Sequence, residues 1–179
     1  MRYAVVLRAI NVGRHNRIRM DVLRAALEDT GHHAVRSYLQ TGNLTFDTDL
    51  EDAEVVGRGV EGILAGLGLR SASVICRPWT DMISLAALTP FAGIDPLGHM
   101  LSVTFCRTPL PDPPTDGWTE RGLRFLGGPP WALFAATPRD LERAPNANAI
   151  IERRWGIPAS TRYWHVVVDW VAREEAAGR

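Results

Sequence analysis

Apolar residues fall at consecutive positions in Tyr3 to Ile10 (YAVVLRAI). A strand covered on both faces reads this way, because neither face is left for polar side chains, so a mid-sheet strand is expected here. A polar stretch, Asn11 to Arg19, separates it from Met20, Leu23 and Leu27, which recur at helical spacing. Asp21 suits the positive end of that helix and Gly31 its stop. Ala34 to Leu39 and Leu44 to Phe46 flank Gln40-Thr41-Gly42-Asn43, a polar junction with a glycine that predicts a tight hairpin between antiparallel strands. From Asp49 to Leu67 acids precede Val55, Val56, Val60, Ile63, Leu64 and Leu67, and Gly68 follows as a stop. That pattern predicts a second helix, although its internal glycines weaken its intrinsic propensity. Ser71 to Cys76 reads as a closing strand.

The resulting order is βαββαβ, the ferredoxin-like arrangement, with the third strand inserted antiparallel between the first and second. The first and second strands then run the same way, because a helix returns the chain between them. Their following loops, Asn11 to Arg17 and Gln40 to Asn43, are therefore expected to meet at one end of the sheet.

In the second half, Thr80 suits the N-cap of a short helix through Leu88, which Pro90 ends. Strands are expected at Met100 to Cys106, Leu123 to Leu126 and Trp131 to Ala136. Thr108 to Gly117 is rich in proline and reads as a loop, and Gly127-Gly128-Pro129-Pro130 as a turn. Two closing helices are expected, Asn146 to Trp155 and Ser160 to Ala177, the latter carrying Trp164, Val167, Val168 and Val171 on one face. The fold class is α+β: an N-terminal ferredoxin-like subdomain, residues 1–78, packed against a second, smaller α+β subdomain, residues 79–179.

Composition narrows the chemistry. With 46% apolar and 22% charged residues in 179, the chain is an ordinary globular one. No apolar run approaches a bilayer span and no signal-peptide pattern opens the chain, so a cytoplasmic location without membrane partners is expected. Cys76 and Cys106 lie in strand-like runs and read as buried, reduced thiols. All 20 basic residues are arginine, which excludes a Schiff-base lysine, a Walker lysine and a Ser-Lys dyad anywhere in the chain. The formal charges sum to zero, yet residues 1–40 carry seven arginines against Asp21, Glu28 and Asp29. A neutral chain is a poor general binder of nucleic acid, but a local basic patch can still hold a phosphate group.

Candidate chemistry gathers on the two loops. Asn11-Val12-Gly13-Arg14-His15-Asn16-Arg17 joins a strand to a helix N-terminus, where free N–H groups and the dipole favour an anion. Such potential is generic, and a solvated basic loop explains the same residues. Gln40, Thr41 and Asn43 either face a ligand beside that loop or satisfy the hairpin's own backbone. Arg153 and Arg154 complement a helix C-terminus, and Trp164 belongs to a core face. The five histidines show no ligand spacing and the cysteines no CxxC partner, so neither a metal nor a cofactor is expected. An RNA-recognition sheet would need stacked aromatics on its central strands; Tyr3 and Phe46 are there, but no RNP-like run surrounds them.

Four segments, LRAINVGRHNRIRM (Leu7 to Met20), SYLQTGNLTF (Ser37 to Phe46), Pro90-Phe91 and STRYW (Ser160 to Trp164), resemble in order and spacing the bacterial domain-of-unknown-function family 1697. The resemblance spans essentially the whole chain and implies two packed α+β subdomains, with no established activity. Matching positions are Arg8, Asn11, Gly13, Asn16, Arg17, Met20, Gln40, Gly42, Asn43, Arg162 and Trp164. The family usually has glycine where this chain has Ala9 and Arg14, and asparagine where it has Tyr163 and His165. Arg14 in place of glycine shifts any anion site from backbone to side chains.

The functional expectation is a phosphate-bearing ligand, a nucleotide or a nucleic-acid backbone, held by Asn11, Arg14, Arg17, Gln40, Thr41 and Asn43, with Arg8 and Arg162 as supporting charges. The alternative is an enzyme acting on a small phosphorylated metabolite, with His15 or His165 as its base. A third reading, an interaction module, would show a large exposed apolar patch, with Trp118 and Trp131 as the residues to inspect. A monomer is expected.

Overall fold

The computed structural model describes residues 1–11, 17–114 and 116–178. The chain divides into two compact units, Met1–Leu85 and Ala86–Arg179. The first contains β1 (Arg2–Arg8), α1 (Met20–Glu28), β2 (His33–Tyr38), β3 (Asn43–Asp47), α2 (Ala53–Gly66) and β4 (Ser73–Pro78), and α3 (Trp79–Ala86) runs to its boundary. The division thus passes near the end of α3, whereas the sequence placed it before that helix. The second unit holds a five-stranded sheet.

The first unit's sheet has the order β2-β3-β1-β4, and every neighbouring pair is antiparallel. β1 lies inside the sheet with Tyr3 to Leu7 buried, as its uninterrupted apolar run requires. Alternate residues point to opposite faces. Tyr3, Val5 and Leu7, with Leu44, Phe46, Val74 and Cys76, form the core shared with Met20, Leu23 and Leu27 of α1 and Val56, Val60 and Leu64 of α2. The helical spacing of those six residues is what turns them to the sheet. The acids before α2 have a local role: Asp52 is its N-cap, accepting from the backbone N–H groups of Glu54 (2.7 Å) and Val55 (3.2 Å).

The second unit contains β5 (His99–Cys106), β6 (Thr119–Glu120), β7 (Leu123–Leu126), β8 (Ala132–Pro138), α4 (Ala147–Trp155), β9 (Ala159–Tyr163) and α5 (Trp164–Ala177). Its sheet order is β6-β7-β8-β5-β9, again antiparallel. One expectation is overturned here. Ser160 to Tyr163 do not begin the last helix; they lie in β9 and pair with β5 from Ser102↔Tyr163 to Phe105↔Ser160. The free edge of β5 supplies the backbone partners, and Thr161 Oγ1 lies 2.8 Å from Thr104 Oγ1 across the pair. A partner nearly sixty residues away is invisible to local periodicity. Trp118 and Trp131 are not an exposed pair: Trp118 stacks on Phe125 at 4.6 Å, and Trp131 on Phe105 at 6.3 Å. Among the described residues no helix is long and apolar enough to cross a membrane.

Candidate functional site

At one end of the first unit's sheet, β1 finishes at Arg8 and the chain turns sharply. Ala9 (φ 62°) and Asn11 (φ 52°) adopt left-handed backbone, as does Leu39 (φ 60°) just beyond β2. Side-chain-bearing residues avoid this region, and such conformations persist where surrounding contacts enforce them. Ala9 occupies one of the positions at which the family usually has glycine, the residue that adopts this φ without steric cost.

Asn11 is the clamp. Its Nδ2 donates to the Gln40 carbonyl (2.8 Å) across to the hairpin, while its Oδ1 accepts from the Ile18 backbone N–H (2.9 Å). One side chain therefore closes the base of its own loop and ties that loop to the β2–β3 turn. Gly42 makes a second tie. Its carbonyl accepts from Leu7 N–H at 2.8 Å, and a Cβ there would lie 2.7 Å from both Leu7 Cβ and Ile10 Cδ1. Its φ of 79° is also left-handed. The meeting of the two loops, expected from connectivity, is thus built from backbone and amide contacts.

The amides serve structure. Asn43 is fully buried and its Nδ2 donates to the Tyr38 carbonyl (3.0 Å) and Thr41 Oγ1 (3.2 Å), which closes the hairpin from inside. Gln40, Thr41 and Arg17 are exposed around this frame, and Arg8 is half-buried at the end of β1. Arg14 and His15 lie outside the described residues. Arg162 belongs to the other unit, on β9, where it donates to Ser160 Oγ and the Thr161 carbonyl, both at 2.9 Å. Burial pulls its guanidinium down to about 10, so it stays cationic at neutral pH.

The α1 N-terminus offers less to an anion than the sequence suggested. Arg19 is its N-cap without a side-chain cap bond, and Asp21 occupies the first turn. The hydrogen bond from Arg19 holds the Asp21 carboxyl below its ordinary value, so this end of the helix already holds an Arg19–Asp21 ion pair whose carboxylate answers the dipole.

Sequence reasoning missed one cluster. On the sheet face opposite the helices, Arg36, Thr45, Ala4 and Arg77 form a row across β2, β3, β1 and β4. Both arginines are half-buried, Arg8 lies on the same face, and Arg2 pairs there with Asp47 at 3.0 Å. Reading each strand at period two, with one face apolar, would have collected them. Tyr3 and Phe46 lie on the helix side, in the core, and take no part in that face.

A family model described as protein of unknown function (DUF1697) matches residues 1–120. Among solved structures, the chain is similar to the conserved bacterial protein SP0830 from Streptococcus pneumoniae, with a TM-score of 0.63 and 18% identity. The match covers 95% of this chain and 98% of that one, and at this identity it speaks for the fold alone. No curated protein matches the chain. With well over half its length matched by the family model, the chain belongs to the DUF1697 family of proteins of unknown function.

Proposed function

We propose that the edge where the Asn11 loop meets the β2–β3 hairpin binds a phosphate-bearing ligand, a nucleotide or a nucleic-acid backbone. The observation that carries this reading is the pair of hydrogen bonds by which Asn11 joins the Gln40 carbonyl and the Ile18 N–H, which sets Arg17, next to Ile18, at the edge that carries exposed Gln40 and Thr41. Left-handed backbone at Ala9, Asn11 and Leu39 supports it, since such strain gathers at ligand sites. Asn11 and Asn43 shape the edge; Arg17, Gln40 and Thr41 are the groups that reach a ligand, with Arg8 behind them. Guanidinium forks match phosphate oxygens in pairs, which suits an arginine-only chain.

On the same reading the first unit is a ferredoxin-like subdomain. Its element order, and the position of β3 between β1 and β2, support that description. A cytoplasmic setting accords with the two free, buried cysteines.

The test is a thermal-shift screen with inorganic phosphate, mononucleotides and short RNA, repeated on Arg17→Ala. A stabilising hit lost in that variant supports the site, and an affinity that falls steeply with salt assigns it to nucleic acid. A hit unchanged in Arg17→Ala places binding elsewhere.

A further inference from the structure

The second unit has a cavity of about 370 Å³ lined by Pro96, His99, Met100, Leu101, Arg139, Tyr163, Trp164 and His165. That volume lies at the lower end of the range for small-molecule sites, roughly 300 to 1,000 Å³. Three features converge on it.

The first is a cation. Arg139 is exposed, and among the described residues its guanidinium has no acceptor; only its backbone is engaged, donating to the Gly98 carbonyl at 3.0 Å. Asp95, beside the lining residue Pro96, forms no ion pair with it among the described residues; its two oxygens accept from Leu97 N–H (2.9 Å) and Gly98 N–H (3.0 Å).

The second is an exposed aromatic stack. The rings of Tyr163 and His165 stack with centroids 5.8 Å apart and planes 11° apart, and Tyr163 is 52% exposed. Trp164 between them is fixed from behind, edge-on to Phe91 (5.9 Å) and Phe134 (5.3 Å). The exposed face of such a stack favours another planar ring by offset stacking.

The third is polarity at the wall. Tyr163, Trp164 and His165 are the N-cap and first two residues of α5; Tyr163 makes no side-chain cap bond and the first turn holds no acid, so among the described residues of that turn nothing offsets its partial positive charge. His99 Nδ1 lies 3.1 Å from the Asp95 carbonyl, which fixes that ring and leaves Nε2 as its remaining polar atom.

A large exposed aromatic beside an unpaired guanidinium is poorly explained by the unit's own packing. We infer that this cavity binds a small planar aromatic ring bearing one anionic group, carboxylate or phosphate, with the ring on the exposed face of the Tyr163–His165 stack and the anion at Arg139. It is a site of the second unit and does not depend on the loops of the first.

The full chain is titrated by NMR with benzoate, phenyl phosphate, cyclohexanecarboxylate and benzyl alcohol. Both aromatic anions are expected to bind, the saturated anion and the neutral aromatic about tenfold more weakly or worse. Arg139→Gln is expected to weaken benzoate by about tenfold, and Tyr163→Ala to remove the preference over cyclohexanecarboxylate. Both side chains are exposed, so melting curves should match the parent and separate binding from folding. Phenyl phosphate exceeding benzoate would name phosphate as the anion, and the reverse would name carboxylate. Equal binding of benzoate and cyclohexanecarboxylate, an Arg139→Gln variant that binds like the parent, or no perturbation by either aromatic anion at millimolar concentration overturns the assignment.

Discussion

Replacing Gly42 by alanine tests the frame of the candidate edge directly. Gly42 holds φ at 79°, and the added methyl would sit 2.7 Å from Leu7 Cβ and 2.7 Å from Ile10 Cδ1. Ile10 can rotate its terminal carbon, but Leu7 Cβ moves only with β1, which is bonded to β3 and β4 on its two sides. The hairpin must therefore retreat, stretching the 2.8 Å bond from Leu7 N–H to the Gly42 carbonyl. Left-handed backbone costs an alanine about 1 to 2 kcal/mol, and overpacking of a closed contact adds about 1 to 3. The expected loss is about 2 to 5 kcal/mol.

Gly31→Ala is the matched control. Gly31 has φ 88° but nothing within 4 Å of the position a Cβ would take, so only the backbone contribution, about 1 to 2 kcal/mol, should appear. Urea unfolding followed by circular dichroism measures both, as a shift in midpoint at constant slope. A Gly42→Ala variant no less stable than Gly31→Ala would refute the close packing of the hairpin on β1. Under the proposed function, Gly42→Ala should also abolish the phosphate-dependent thermal shift, because its retreat separates the Asn11 loop from Gln40.

Asn11→Ala removes two hydrogen bonds, of 2.8 and 2.9 Å, and leaves an alanine at φ 52°, so a loss of about 2 to 3 kcal/mol is expected by the same urea assay. Asn11→Gly relaxes the backbone and should lose about 1 kcal/mol less; equal losses would remove the strain argument. His32 is buried against Phe46 at 4.4 Å, and desolvation with His33 nearby lowers its pKa below 6.5. Its neutral form is favoured by folding, so this residue's stabilisation is full above the unfolded value near 6.5 and declines as pH falls toward the folded one. Stability profiles of the parent and His32→Phe between pH 7.5 and 5 should then diverge, about from pH 6.5 downward; parallel profiles would contradict it. Burial pushes the Cys76 thiol up to about 12, so iodoacetamide at pH 8, well below that value, should leave it unlabelled in the native protein and label it in urea. Rapid native labelling would show that β4 opens locally.

The sequence by itself determined the local elements and one long-range relation. The run from Tyr3 to Leu7, the Met20-Leu23-Leu27 stripe and the Gln40 to Asn43 turn each encode their structure in side-chain period or turn chemistry, and each is found where it was read. The meeting of the Asn11 and Gln40 loops followed from strand direction alone, because a helix between two strands leaves them running the same way. Which asparagine does what was not legible. Whether an amide faces solvent or a carbonyl depends on distances set by the packed sheet, and the structure turns both Asn11 and Asn43 inward. Tertiary structure alone also decided Ser160 to Tyr163, whose strand pairs with the otherwise open edge of β5, and the row of Arg36 and Arg77, which register aligns on one face from the two edge strands of the sheet. Period and turn chemistry act between residues a few positions apart and can be read from a window. Pairing, register and the fate of a buried amide are interactions between distant segments, and they take their form only when the backbone is in place.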